Sequence, residues 1–418
     1  MWGSSLILLA SILGQFSEIN GQARPQDVCV QGDAVNEGNC YAPKCYCSNM
    51  FNFPRSIEKE TKGKQKNVVK FSSKDDIPQM VAFTFNDPVD QDTYEPYMDL
   101  FYGKQNPNGC PVSVTIFTSD NNTDYCMINQ LYRYGYEIAN SGKSRKSTVN
   151  FWQQGSGDEF RQELSEQIEL IHEKAEIPRT DIRGWRTPLL QPGGDKLFRI
   201  LHGNNFVKYD ATILAGPQSL TDNITWPFTL DYPIQFPCGI PPCPTQRYPG
   251  FWVVPVIRIL DVNDLVCSFA HRCIYPPQNE EETYEFLWKN FEHHYRLNRA
   301  PFIINLEANW FNEKLYAFEA VKRFIQALLS RDDVYLVNTW QIVQWMQDPT
   351  PLGKDNKLMN NFKPWKERGC EYLPRKMKCT IKRKSKSFVG EINLALWQWL
   401  FMAIVLAILV RKDWNAKD

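Results

Sequence analysis

Net charge is what this chain most plainly lacks: 47 basic side chains are matched by 47 acidic ones. Overall charge therefore gives a polyanion such as nucleic acid no reason to bind. Histidine is scarce, with His172, His202, His271, His293 and His294 the entire supply. The adjacent pair His293–His294 does not share a helix face and makes a poor chelate. Each of the five is expected to be a solvated or core side chain. No internal repeat is present, which excludes a repeat architecture, and no low-complexity tract occurs beyond one basic stretch near the C-terminus. The cysteines lack the repeated C-x-x-C spacing of a zinc ribbon or finger.

Twelve cysteines are present, and they fall close together: Cys29, Cys40, Cys45 and Cys47, then Cys110 and Cys126, Cys238 and Cys243, Cys267 and Cys273, Cys370 and Cys379. An even number in close pairs, such as Cys238–Cys243 and Cys267–Cys273, is read as the disulfides of an extracytoplasmic protein. The apolar run Leu6 to Leu13, closed by Asn20-Gly21-Gln22-Ala23, predicts a signal peptide over residues 1–23, although no positive charge precedes it. Asn121 and Asn223 head glycosylation acceptor triplets. Ile392 to Val410 carries no charge over nineteen residues, enough to cross a bilayer, and Arg411-Lys412 stops it. These signals predict secretory entry and a single-pass type I membrane protein at the cell surface, with a tail of eight residues inside. The outer flank Lys382-Arg383-Lys384-Ser385-Lys386 opposes the positive-inside preference; a cleaved signal and a folded ectodomain override it. A glycolipid-anchor signal is the alternative, disfavoured by the charged tail.

Between these ends the texture alternates. Residues 24–66 form a Cys-rich cap and a Lys-rich linker with too little apolar material for a core. From Gln79 strands are predicted over 79–85, 112–117, 136–140, 183–187, 205–211, 251–256, 301–307 and 334–338. Helical spacing recurs in Phe160, Leu164, Ile168, Ile171 and Ala175, in Tyr284 to Tyr295, and in Leu315 to Leu329. Such alternation over residues 67–350 predicts a (β/α) barrel of the α/β class. Residues 351–391 then form a basic juxtamembrane tail, 392–410 the membrane helix and 411–418 the cytoplasmic tail. The stretch Val81-Ala82-Phe83-Thr84-Phe85-Asn86-Asp87 organises the rest: a strand buried on both faces that ends in a polar pair, where parallel folds build their centres.

Several stretches carry a resemblance. Thr84-Phe85-Asn86-Asp87, Asn106-Pro107-Asn108-Gly109-Cys110, Glu137-Ile138-Ala139, Arg186-Thr187-Pro188, Tyr209-Asp210-Ala211-Thr212, Trp226-Pro227, Arg299-Ala300-Pro301-Phe302 and Thr339-Trp340-Gln341 follow one another as they do in polysaccharide deacetylases. The chain resembles the animal chitin deacetylase branch of that family, collinearly from about Cys40 to Cys370. The resemblance implies a distorted (β/α) barrel. It also implies removal of acetyl groups from N-acetylglucosamine polymers by metal-activated water, with a carboxylate base and a histidine acid.

Carried over residue by residue, most of that machinery is absent. The base position holds Asn86, an amide with no proton affinity. The metal aspartate survives as Asp87, but the two histidine positions fall on Ser141 and Arg145. Arg186 stands where the orienting arginine belongs, and Glu307 replaces the acid histidine. No metal cofactor is expected. Arg145 is expected to supply the ion's positive charge between Asp87 and Glu307, an idea that a guanidinium more than about 5 Å from both carboxylates would remove. The rival is a loop-surface arginine in the basic cluster Lys143, Arg145 and Lys146.

Sugar grooves pair aromatic faces with a polar rim. Trp185, Tyr209, Asp210 and Trp252 are the expected glycan-binding residues, with Trp226, Phe251 and Trp310 near the same strand ends, and the two disulfide loops are expected to shape the rim. The reading is a membrane-anchored, extracellular, catalytically inactive relative that binds chitin or another N-acetylglucosamine-containing glycan. The alternative is an active chitin N-deacetylase, a carbon–nitrogen hydrolase with a remodelled centre, in which Glu307 serves as acid or base and zinc or another divalent metal binds elsewhere. A receptor for a protein partner is the third possibility.

Overall fold

The computed structural model describes residues 27–60, 66–353 and 371–372, all within the first of the chain's two compact units, Met1–Cys379. The signal peptide (1–23), the membrane segment (392–410) and the cytoplasmic tail lie outside the described residues. No helix among the described residues is long and apolar enough to cross a membrane.

The central sheet has nine strands: β1 Gln79–Phe85, β2 Thr115–Thr118, β3 Glu137–Asn140, β4 Gly184–Trp185, β5 Tyr209–Asp210, β6 Phe228–Leu230, β7 Tyr248–Val253, β8 Phe302–Leu306 and β9 Val334–Leu336. Their spatial order is β6-β7-β5-β4-β3-β2-β1-β8, with β9 on the amino-terminal half of β1. All neighbours are parallel except β6 and β7. Every residue of β1 is buried, as a strand covered on both faces requires.

Among the described residues no ladder joins β6 to β8, so the distorted (β/α) barrel expected from the sequence takes the form of a curled half-barrel. The Cys-rich cap explains why the β6 edge stays open. Thr229 in β6 gives its N–H to the Tyr46 carbonyl (3.0 Å), and Tyr46 returns its own to the Thr229 hydroxyl (3.1 Å). An edge strand covered in this way no longer offers its ladder to another strand. Tyr46 also donates through its hydroxyl to the Met346 carbonyl (2.7 Å), and Phe53 packs against Phe71, Trp226 and Trp345. The cap has no core of its own and borrows that of the sheet. Cys29–Cys47 and Cys40–Cys45 close it.

Nine helices are described: α1 Gln91–Phe101, α2 Tyr125–Arg133, α3 Val149–Gln154, α4 Gly157–Ala175, α5 Gly194–Gly203, α6 Glu280–Leu297, α7 Asn309–Glu313, α8 Leu315–Leu329 and α9 Thr339–Gln347. Helix α4 starts on a Ser156/Glu159 capping box and buries Phe160, Leu164, Ile168, Ile171 and Ala175, the stripe read from the sequence. Asp90 caps α1 by accepting from the Asp92 and Thr93 N–H groups at 3.0 Å each. Replacing Asp90 with Ala is expected to cost about 1 kcal/mol of stability by denaturant titration at neutral pH; an unchanged midpoint would mean that the cap carries nothing.

Candidate functional site

The site is built where β1 and β8 end side by side. In their parallel register Phe85 lies opposite Leu306, so the next residues, Asn86-Asp87 and Glu307-Ala308, emerge together. The Asn86 N–H reaches the Leu306 carbonyl (3.3 Å), and the Ala308 N–H donates to Asp87 Oδ2 (2.5 Å). Asn86 is 8% exposed and Asp87 5%. Three strands over from β1, Arg186 follows β4 and lies fully inside. Its Nε donates to the Ala211 carbonyl (2.7 Å) and its Nη1 to Thr84 Oγ1 (2.8 Å) and Asn86 Oδ1 (3.2 Å), with the guanidinium 4.0 Å from the Phe117 ring centre. Burial pulls the Arg186 pKa down to about 9, which leaves it charged at neutral pH. The neighbouring amide Asn86 thus accepts from a cation on one side, while its Nδ2 has no partner.

The remaining groups come from loops. Ser141 follows β3 and turns its hydroxyl to the Arg186 carbonyl (2.9 Å). Arg145, on the loop from β3 to α3, places Nη2 at 3.7 Å from Glu307 Oε1, within the limit set above. The loop is held down by α4. Buried Glu163 accepts from the Ser144 N–H (2.8 Å) and the Ser144 hydroxyl, and its carbonyl takes the Lys143 N–H (3.1 Å). Lys143 and Lys146 turn away, to Glu166 and to the Phe151 ring.

Four expectations change. Trp185, Tyr209 and Asp210 are fully buried and Trp252 is 4% exposed, so none presents a face to a sugar. Trp185 gives its Nε1–H to Thr187 Oγ1 (2.8 Å), Tyr209 gives its hydroxyl proton to buried Glu137 (2.7 Å), and Trp252 lies against the cap's Tyr46 ring. Asp210 Oδ2 accepts the Thr212 and Ile213 N–H groups, and burial raises its pKa to about 6. Trp226 and Phe251 are core as well. The physical cause is that strands covered on both faces point their aromatics into packing. Trp310, on α7, is the one of these aromatics that stands beside the site, 6.2 Å from the His271 ring.

His271 differs from the solvated or core side chain expected of it: its Nε2 lies 3.1 Å from Glu307 Oε2, and Arg272 Nη2 donates to the same oxygen (2.8 Å). The Cys267–Cys273 disulfide holds this loop, and Asn305 Nδ2 donates to its Ser268 carbonyl (3.3 Å). A histidine and an arginine inside a disulfide loop were the available signal, but their partner lies 35 residues onward in sequence. The other four histidines bond backbone carbonyls, as expected of structural side chains. Cys238–Cys243 forms as predicted. Asn121 and Asn223 are both exposed. A cleft of about 760 Å³ along α6, beside Trp288, Lys289 and His293, contains none of the residues at the strand ends.

The two carboxylates titrate in opposite directions. Burial raises the Asp87 pKa to about 7, against the Ala308 hydrogen bond, and the Glu307 charge pushes the same way. For Glu307 burial also acts upward, but hydrogen bonds from His271 and Arg272 outweigh it and set its pKa at about 2. Buried Tyr97 faces Asp87 with its hydroxyl short of a hydrogen bond.

A parallel α/β sheet with ionisable side chains gathered past its strand ends is an enzyme scaffold. A Bombyx mori protein named chitin deacetylase 8 is 32% identical over 361 residues, 86% of each chain. Chitin deacetylase 1 of the same organism is 31% identical over 76% of this chain and 60% of its own length. The chain belongs to the chitin deacetylase family of polysaccharide deacetylases. No protein-family model matches it. Among solved structures, a polysaccharide deacetylase from Mycobacterium smegmatis matches 67% of this chain and 93% of its own at a TM-score of 0.46 and 17% identity. A CE4 family pseudoenzyme from Bacillus anthracis matches 64% and 66% at 0.37 and 11%.

The donors present do not fit the divalent ion of this family. One carboxylate, Asp87, is available, while Ser141 spends its proton on a backbone carbonyl and Arg145 brings a permanent cation. Among the described residues the one cluster of metal-ligating side chain types is Cys29, Cys40 and Cys45, and all three are in disulfides.

Proposed function

We propose that this chain is a catalytically inactive chitin deacetylase homologue that binds an N-acetylated glycan, enters the secretory pathway and is anchored by its C-terminal segment. The observation that carries the reading is the Arg145–Glu307 contact at 3.7 Å: a fixed cation stands beside the carboxylates where the family places its ion. Without a base at Asn86, an ion, or an acid at position 307, three separate contributions to the rate are lost. Acid and base each supply about 10²–10⁴-fold, and the ion several kcal/mol more. The two relatives carry chitin in their names, which makes chitin the first glycan to offer.

Glu307 serves the active alternative poorly, because a carboxyl with a pKa of about 2 has no proton to give at neutral pH. One observation favours that alternative nonetheless: His271 leans on Glu307 with its Nδ1 unpartnered, the posture of an acid–base dyad. Acetate release from chitin hexamer decides between them. With the full chain in detergent and zinc or cobalt supplied, no acetate above the uncatalysed background is expected, while the hexamer still binds by calorimetry. Enzyme-dependent acetate would establish the active reading, and absence of binding would end the glycan one.

A further inference from the structure

We infer that the site receives the carboxylate of an acidic sugar, so that the glycan recognised alternates N-acetylhexosamine with a uronate. The inference rests on the glycan reading above and specifies its ligand class. Three guanidinium groups, Arg145, Arg186 and Arg272, share the site with two carboxylates, Asp87 and Glu307. Arg186 is committed to Ala211, Thr84 and Asn86, and Arg272 to Glu307. Arg145 has an ion pair alone: its contact with Glu307 at 3.7 Å exceeds hydrogen-bond length, and among the described residues it makes no hydrogen bond. Its side chain is only 31% exposed, so its five N–H donors are partly withdrawn from water with no protein acceptor at hydrogen-bond distance.

Two further polar atoms at the site are buried and unpartnered, Asn86 Nδ2 and His271 Nδ1. The amide is a donor by its chemistry. Because Asn86 Oδ1 faces Arg186, its two N–H bonds point away from that arginine. Buried donors without partners are rare in folded chains and call for an acceptor. A guanidinium fork and an amide are matched by a planar anion with two oxygens, whereas an acetamide offers one neutral oxygen.

The backbone supports a built site. Arg145 has a φ of +47°, a left-handed conformation that is unfavourable for a residue with a side chain. The loop is fixed by its bonds to Glu163 and by Gly142, at φ +79°, where a Cβ would lie 3.0 Å from Glu163 Oε2 and 3.3 Å from Trp152. Strain of this kind persists where the surroundings enforce it, and here they bring the guanidinium to the strand ends.

The test compares, on the full chain in detergent, calorimetric binding of a hyaluronan hexasaccharide, its carboxyl-reduced form and chitin hexamer. The uronate oligomer is expected to bind roughly tenfold tighter than either neutral oligomer, an advantage that shrinks with salt. Arg145→Gln should abolish the advantage, and Asn86→Asp, which sets a negative charge where the anion would lie, should reverse it. Equal affinity for all three, an advantage unchanged in Arg145→Gln, or a stronger response to a sulfated oligomer lacking carboxylates would overturn the inference while leaving the glycan reading intact. Failure of every oligomer to bind would remove both.

Discussion

Exchanging Ser141 and Arg145 for histidine is expected to give a chain that holds one zinc ion per molecule after dialysis, where the natural chain is expected to hold none. Asp87 with two imidazoles makes the three-ligand open set of a catalytic zinc site. The same exchange removes the guanidinium 3.7 Å from Glu307, whose charge repels a divalent ion. Position 145 tolerates the change, since histidine is among the residues found more often at positive φ, and Ser141 gives up only one hydrogen bond to a carbonyl. Because each ligand contributes to the affinity together with the others, the apparent zinc affinity should rise by roughly four orders of magnitude or more. Metal content by atomic emission and titration against a zinc-competing dye read this directly. Adding Asn86→Asp and Glu307→His should then bring acetate release from chitin hexamer, with base and acid each contributing about 10²–10⁴-fold. A folded double variant that stays free of zinc would mean that the metal positions have been set on the wrong residues of the β3–α3 loop.

The second large effect is on stability. Asp87→Asn should make the chain more stable at pH 8, by about 4 kcal/mol, and change little near pH 3.5. The sign follows from the direction of the shift. Burial raises the folded-state pKa from 3.8 to about 7, so the folded chain holds this proton more tightly than the unfolded one. Stability contributed by the protonated acid is therefore present at low pH, falls as pH rises between those two values, and is gone above 7. An asparagine keeps the acceptor for the Ala308 N–H and has nothing to ionise. Glu307→Gln runs the other way. Its pKa is lowered from 4.5 to about 2, so its contribution is present above pH 4.5 and lost as pH falls through 2. That substitution is expected to cost stability at pH 7, by about 1–2 kcal/mol once screening of this rim carboxylate by solvent is allowed for. Denaturant midpoints for both variants between pH 3 and 8 give two slopes of opposite sign; parallel slopes would mean that Asp87 and Glu307 do not have the environments described.

The opposed titrations have one structural origin. Asp87 accepts from the Ala308 backbone N–H and lies deeper, whereas Glu307 sits at the rim against His271 and Arg272. Arg145 sees both, lowering the Asp87 pKa by its charge and standing 3.7 Å from Glu307. On the proposed reading a cation of the chain stands beside these carboxylates in place of an ion, and removing either charge alone leaves the other buried and unpaired.

Much of this was legible in one dimension. The β1 run, the spacing of the α4 and α8 stripes, and the short Cys238–Cys243 and Cys267–Cys273 separations report local preferences, which neighbouring residues decide. The family, too, can be read from motifs in order; the loss of base, acid and histidine ligands at positions 86, 307, 141 and 145 is what the resemblance implies, and it stays a proposal. Three matters depended on the fold. Whether the sheet closes was decided by Tyr46, from the cap, bonding to Thr229 in β6 across 183 residues. Whether an aromatic faces a sugar or the core was decided by coverage on both sides of the sheet, which left Trp185, Tyr209 and Trp252 inside. That His271 and Arg272 meet Glu307 was decided by a disulfide loop docking on β8. Side-chain chemistry is a property of the residue and survives in the sequence; burial and partnership are properties of pairs far apart along the chain, and only packing creates them.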